Sequence, residues 1–174
     1  MRKYEFTGET KIINLRGKEV TLHRIKAVIE FGLIKVGEVG GWIEEESNLS
    51  HDDKSWVCGD AKVWGNAKVW GDAKVWGNAE VWGNANVWGN AKVSQVDHIL
   101  VIGPAGSRND FTTFYRDKDN EITVKCGCFL DKIDKFIEKV TQTHEDNKYA
   151  IVYRASAELA KLQIDLSEES EENE

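Results

Sequence analysis

The chain has 174 residues, of which 41% are aliphatic or aromatic, with 15 Gly, seven Trp, three Cys and a single Pro; this excludes a disordered chain and fits one domain, or one domain with a small appendage. No run approaches the roughly 18 apolar residues that would cross a bilayer, so a soluble protein is expected. The net charge is −7, but five glutamates lie among the last eight residues, and removing their five charges leaves −2; such a nearly neutral body does not suit duplex nucleic acid, which needs a concentrated basic face.

The start, Met-Arg-Lys-Tyr-Glu-Phe, has no apolar stretch ahead of a small-residue cleavage site, so no secretory signal is expected. Three unevenly spaced cysteines do not suggest a disulfide framework, and a cytoplasmic, reducing setting is the expectation. From Lys3 to Val28 the chain alternates like a strand, with turn signals at Gly8 and Arg16-Gly17. Phe31 to Ile43 is glycine-spaced and β-like, and reads as an irregular cap. Glu44 to Lys54 is polar and reads as a loop.

From Ser55 to Val96 a period of six runs through seven units, written AKVWGN with small variations. Six residues are too few for a helical repeat. Ala and Val alternate inward while Lys and Trp alternate outward, as on a short strand. Gly and Asn/Asp then tolerate the positive φ of a sharp corner. Three such sides close an 18-residue triangular turn, whose layers stack about 4.8 Å apart. Val57, Val63, Val69, Val75, Val81, Val87 and Val93 are expected inside, each contributing roughly 1.5 to 3 kcal/mol. Trp64, Trp70, Trp76, Trp82 and Trp88 are expected outside; contiguous aromatic faces of this kind mark an interface.

This repeat resembles the left-handed parallel β-helix of hexapeptide-repeat proteins. It departs from that family where the slot after the inward aliphatic residue holds Trp instead of a small or acidic residue. The expected fold is therefore mainly β, a left-handed parallel β-helix over 55–96, preceded by a β segment and capping turn over 1–54. A small α+β module over 97–166 and a disordered acidic tail over 167–174 complete the expected organisation.

In that module His98 to Ile102 and Phe111 to Tyr115 read as strands around a loop at 103–110, followed by a turn at 117–120. Ile122 to Phe129 reads as a further strand that puts Cys126 and Cys128 on one face. Leu130, Ile133, Phe136, Ile137 and Val140 recur at helical spacing, as do Tyr149, Val152, Tyr153, Ser156 and Ala160. The Gly-Gly-Trp-Ile-Glu segment upstream, with Gly-Ser-Arg-Asn and Cys-Gly-Cys-Phe downstream, resembles a group of small hexapeptide-repeat proteins common in phages and prophages. The resemblance implies a fold and an origin, and no chemistry.

Gly106, Ser107, Arg108 and Asn109 form the expected ligand site, because a Gly-containing loop with a guanidinium suits an anion such as phosphate. Tyr115, Lys125, Arg154 and Tyr153 are candidates to complete it. The plainer reading is a hairpin turn with Arg108 paired to a carboxylate. No metal or cofactor is expected: the four histidines are scattered and a lone Cys-x-Cys lacks a second pair. His51 is the one histidine placed roughly like a loop base, the position an acyltransferase of the resembled family would need.

The expected protein is thus a non-enzymatic homo-oligomer, most simply a trimer, with no catalytic residue, no membrane partner and no duplex nucleic acid partner. In the phage setting its expected task is counter-defence in the host cytoplasm, by sequestration of a small anionic nucleotide signal. An inhibitor or scaffold that grips a host protein through the Trp faces, and an acyltransferase, are the alternatives.

Overall fold

The computed structural model describes residues 1–15 and 17–167; the acidic tail expected over 167–174 lies, from Glu168 on, outside the described residues. The chain divides into two compact units, Met1–Val96 and Asp97–Glu174. Among the described residues no helix is long and apolar enough to cross a membrane.

In the first unit, β1 (Tyr4–Leu15) and β2 (Lys18–Ala27) form an antiparallel hairpin. Its register shifts between Phe6 and Thr10, where Gly8 takes φ +93°; a residue without Cβ allows that irregularity. β2 pairs antiparallel with β3 (Val39–Ile43). The repeat follows as seven two-residue strands: β4 (Trp56–Val57), β5 (Lys62–Val63), β6 (Lys68–Val69), β7 (Lys74–Val75), β8 (Glu80–Val81), β9 (Asn86–Val87) and β10 (Lys92–Val93).

These strands pair in parallel at an offset of 18 residues, Val63 beside Val81, Val69 beside Val87, and Val75 between Val57 and Val93. All seven repeat valines are fully buried, and the repeat alanines are buried beside them. Lys62 and Glu80 face each other across a 2.9 Å ion pair, whereas Lys74 faces Lys92.

The expected left-handed parallel β-helix is nevertheless corrected by the sheet arrangement. The protein is mainly β, but among the described residues its strands fall into four separate sheets: a five-stranded one ordered β1-β2-β3-β5-β8, a three-stranded β10-β7-β4, a two-stranded β6-β9, and a four-stranded sheet in the second unit. The first is mixed, because the antiparallel hairpin joins the parallel ladder through β3. The physical reason lies in the unit length. Only two residues stay extended before Gly, at φ between +63° and +75° from Gly59 to Gly89, turns the chain, so no ladder runs on into its neighbour.

The Trp rings divide as well. Trp64 stacks on Trp82 at 6.1 Å and Trp70 on Trp88 at 5.5 Å. Trp82 is 59% and Trp88 39% exposed, but Trp64, at 5%, packs with Val20, Leu22 and Trp42, and with Ile13 of the hairpin. Trp70 and Trp76 are half-buried. The expectation of five outward rings thus gives way to two exposed ones, Trp82 and Trp88, with Trp64 covered because the hairpin folds over its column.

In the second unit β11 (Ile99–Ala105), β12 (Asp110–Arg116), β13 (Ile122–Cys126) and β14 (Phe129–Lys132) form an antiparallel sheet in chain order. The helices α1 (Ile133–His144) and α2 (Lys148–Gln163) follow. α2 is capped by the Asn147 side chain, which accepts from the N–H groups of Tyr149 and Ala150. Phe114 and Val124 on the sheet pack with Phe136, Val140, Tyr153 and Ala157 on the helices. Phe136 meets both Phe114 and Tyr153 edge-on, the favoured aromatic arrangement. The strand expected over 122–129 breaks at Gly127, φ +57°, so Cys128 sits in a turn and does not share a strand face with Cys126.

Candidate functional site

The loop expected over 103–110 shrinks to a four-residue turn, Gly106 to Asn109, because β11 and β12 run on to Ala105 and from Asp110. Gly106 has φ +71°, and a Cβ there would lie 2.2 Å from the Tyr153 hydroxyl, so only glycine lets the turn come this close to α2. Asn109 closes the turn at φ 51°, donating its N–H to the Gly106 carbonyl at 3.3 Å.

Tyr153 anchors this turn to α2. Its hydroxyl accepts from the Ser107 N–H at 3.2 Å and lies 3.4 Å from Ser107 Oγ. The His144 ring stacks on the Tyr153 ring at 5.7 Å, with Nε2 3.5 Å from Ser107 Oγ. Beside them opens a cavity of about 210 Å³, floored by Phe129, Phe136 and Tyr153 and edged by Arg108, Lys139 and His144. The Arg108 guanidinium lies over Gly127. Among the described residues neither Arg108 nor Lys139 makes an ion pair, so the turn with Arg108 paired to a carboxylate is not what the structure shows. Two cations at an aromatic-floored cavity favour an anion with an apolar or planar part.

Gly106, Ser107 and Arg108 are therefore brought together, with Asn109 at the turn's exposed end. The other expected members are not. Tyr115 and Lys125 alternate to the sheet face opposite Phe114 and Val124, where Tyr115 is fully buried and the Lys125 ammonium bonds the Gly127 carbonyl. Arg154 is held by Asp146 Oδ1 at 3.0 Å and by the Glu145 carbonyl at 2.9 Å. Sequence reasoning passed over Lys139 and His144; their spacing from Phe136 and Val140, three or four residues along one helix, is the signal that places them on the cavity side.

Ser107 and His144 invite comparison with a nucleophile and its base. Tyr153 stacks on the His144 ring, but among the described residues no carboxylate bonds its other nitrogen to fix the tautomer that role needs. Thr112 Oγ1 donates to Cys126 Sγ at 3.2 Å, and Cys128 is exposed at the cavity edge. Neither thiol joins a metal-type cluster among the described residues. The one such cluster there, Asp117, Asp119 and Glu121, is already bridged by the Lys132 ammonium, 2.5 Å from Asp117 and 2.6 Å from Glu121. Burial opposes the charge on Lys132, but those carboxylates outweigh it and hold the ammonium well above its ordinary value.

His51 is not placed as a loop base. Its Nδ1 accepts from the Lys3 N–H at 3.2 Å, its ring stacks on Tyr4 at 4.1 Å, and its buried Nε2 has no hydrogen-bond partner among the described residues. Burial pushes this imidazole below its ordinary value, which favours the neutral ring.

No known protein family matches the chain, and no curated protein matches its sequence. The resemblance to the phage group therefore rests on its sequence motifs alone.

Proposed function

We propose that the protein is a non-catalytic binding protein whose second unit holds a small anion at the Ser107–Arg108 turn. The observation that supports this reading is the pair of cations, Arg108 and Lys139, edging an aromatic-floored cavity with no carboxylate paired to either among the described residues. At about 210 Å³ the cavity lies below the usual range for drug-sized ligands, and suits a phosphate with part of its attached ring. In the phage setting implied by the sequence resemblance, a nucleotide signal held in this way is withdrawn from its receptor.

Titration calorimetry with inorganic phosphate and adenosine 5′-monophosphate tests the reading. Binding of either that weakens at least about tenfold in Arg108→Ala and in Lys139→Ala supports it. Wild-type affinity in both variants sinks it.

A second reading is favoured by the exposure of Trp82 and Trp88: these rings contact another subunit or a host protein. Sedimentation of the wild type beside the double variant Trp82→Ser/Trp88→Ser tests it, and an unchanged monomeric state removes the self-association form.

A further inference from the structure

A second concavity, in the first unit, has the opposite chemistry. A groove of about 390 Å³ runs between the Trp64–Trp82 stack, the apolar side chains of Leu15 and Val20, and the carboxylates of Glu44 and Glu45. The two indoles lie nearly parallel, 8° apart, and Trp82 is the more exposed. Glu44 is fixed at the wall, because its Oε2 accepts from the Gly65 N–H at 2.7 Å, leaving Oε1 for a ligand. Lys18 also lines the groove, yet it makes no ion pair with either carboxylate among the described residues.

We propose that this groove binds a small organic cation, an alkylammonium or guanidinium carried on an apolar stem. Aromatic faces and carboxylates both present negative potential, so they reinforce one another toward a cation and repel phosphate. The chain uses the same chemistry one column away. There Lys11 Nζ lies 4.5 Å and Arg24 Cζ 4.9 Å from the Trp42 ring. Among the described residues no cation stands over Trp64 or Trp82. Leu15 and Val20 offer the apolar wall a stem needs, and the volume accepts a head group together with several methylenes.

Calorimetry of the full chain with N-acetylarginine amide, and with the neutral isostere N-acetylcitrulline amide, tests the proposal. The arginine compound is expected to saturate and the citrulline compound to bind at least about tenfold more weakly, with added salt weakening the first alone. Trp82→Ala and Glu45→Gln change exposed side chains, so both should fold, and each is expected to cost about fivefold or more. Equal binding of the two compounds, no saturation at millimolar concentration, or wild-type affinity in both variants overturns the proposal. Arg108→Ala should leave this binding unchanged; a loss there also overturns it. That arm keeps the result separate from the anion site.

Discussion

The ammonium of Lys3, 1% exposed, stands 3.3 Å from the carboxylate of Asp53, two residues fifty positions apart in the first unit. Lys3 also donates to the Ser55 carbonyl at 2.7 Å, while Asp53 accepts from Ser55 Oγ at 2.6 Å and from the Gly71 N–H at 2.6 Å. The pair therefore joins the N-terminal strand, the loop and the repeat.

Its titration makes stability rise with pH in two separate windows, one acid and one alkaline. Burial pushes the Asp53 carboxyl up, but hydrogen bonds from Ser55 and Gly71 outweigh it and hold the group below its ordinary value. With the native value below the unfolded one, about 3.9, its contribution is present above that pH and is lost as pH falls through the native value. Burial pushes the Lys3 ammonium down, against the attraction of Asp53. Between its native value and about 10.4 the unfolded chain holds more protons, so this group makes stability rise with pH across that window. Thermal melts across pH are expected to show a smaller acid loss in Asp53→Asn and a flatter alkaline limb in Lys3→Met. At neutral pH, Asp53→Asn should cost roughly 3 kcal/mol, because it leaves a buried ammonium without its carboxylate.

Two glycines with similar φ should respond differently to alanine. At Gly83, φ +68°, nothing lies within 4 Å of an added Cβ, so the backbone cost alone applies, about 1 to 2 kcal/mol. At Gly106 the added methyl must also displace Tyr153. Urea titration should give a loss of about 3 kcal/mol or more for Gly106→Ala, and anion binding should fall with it. Equal losses at the two sites would show that Tyr153 does not press on the turn.

Trp64 and Trp82 stack on each other but differ in burial, and the difference is measurable. Trp64→Ala should cost about 3 to 5 kcal/mol through the gap left between Trp42, Val20 and Leu22. Trp82→Ala should stay within about 1 kcal/mol. Iodide quenching in single-Trp backgrounds should reach Trp82 and leave Trp64 dark to the quencher.

Lys74 and Lys92 are a like-charge pair on a ladder whose counterpart, Lys62 and Glu80, is an ion pair. Lys74→Glu is expected to stabilise the protein by about 0.5 kcal/mol at low salt, with the gain vanishing at high salt. Melts at two ionic strengths measure it.

Period six made the buried valines and alanines and the 18-residue partners readable, since each depends only on local alternation and turn geometry. What covers Trp64 was not readable, because Val20 and Leu22 reach it from a hairpin more than forty residues earlier. The mixed sheet has the same origin. At the proposed anion site Ser107 and Arg108 announced themselves by composition. Lys139 and His144 come from a helix thirty or more residues on, and only folding brings them to the turn. Arg154 looked equally suitable, but Asp146 and Glu145, close by in the chain, take up its donors.

The repeat units are nearly interchangeable, so a slide of six residues would set Val against Val and Trp against Trp much as before. The buried anchors do not by themselves forbid it: Asn48, fully buried, gives its amide to the carbonyls of Gly65 and Ala67, and Asp53 takes the N–H of Gly71, backbone groups that recur one unit on at Gly71, Ala73 and Gly77. What a slide breaks is a side-chain match, since Lys62 would exchange Glu80 for Lys74 or Asn86. The same monotonous stretch thus has several nearly equivalent alignments, in which misthreaded species compete with the native one.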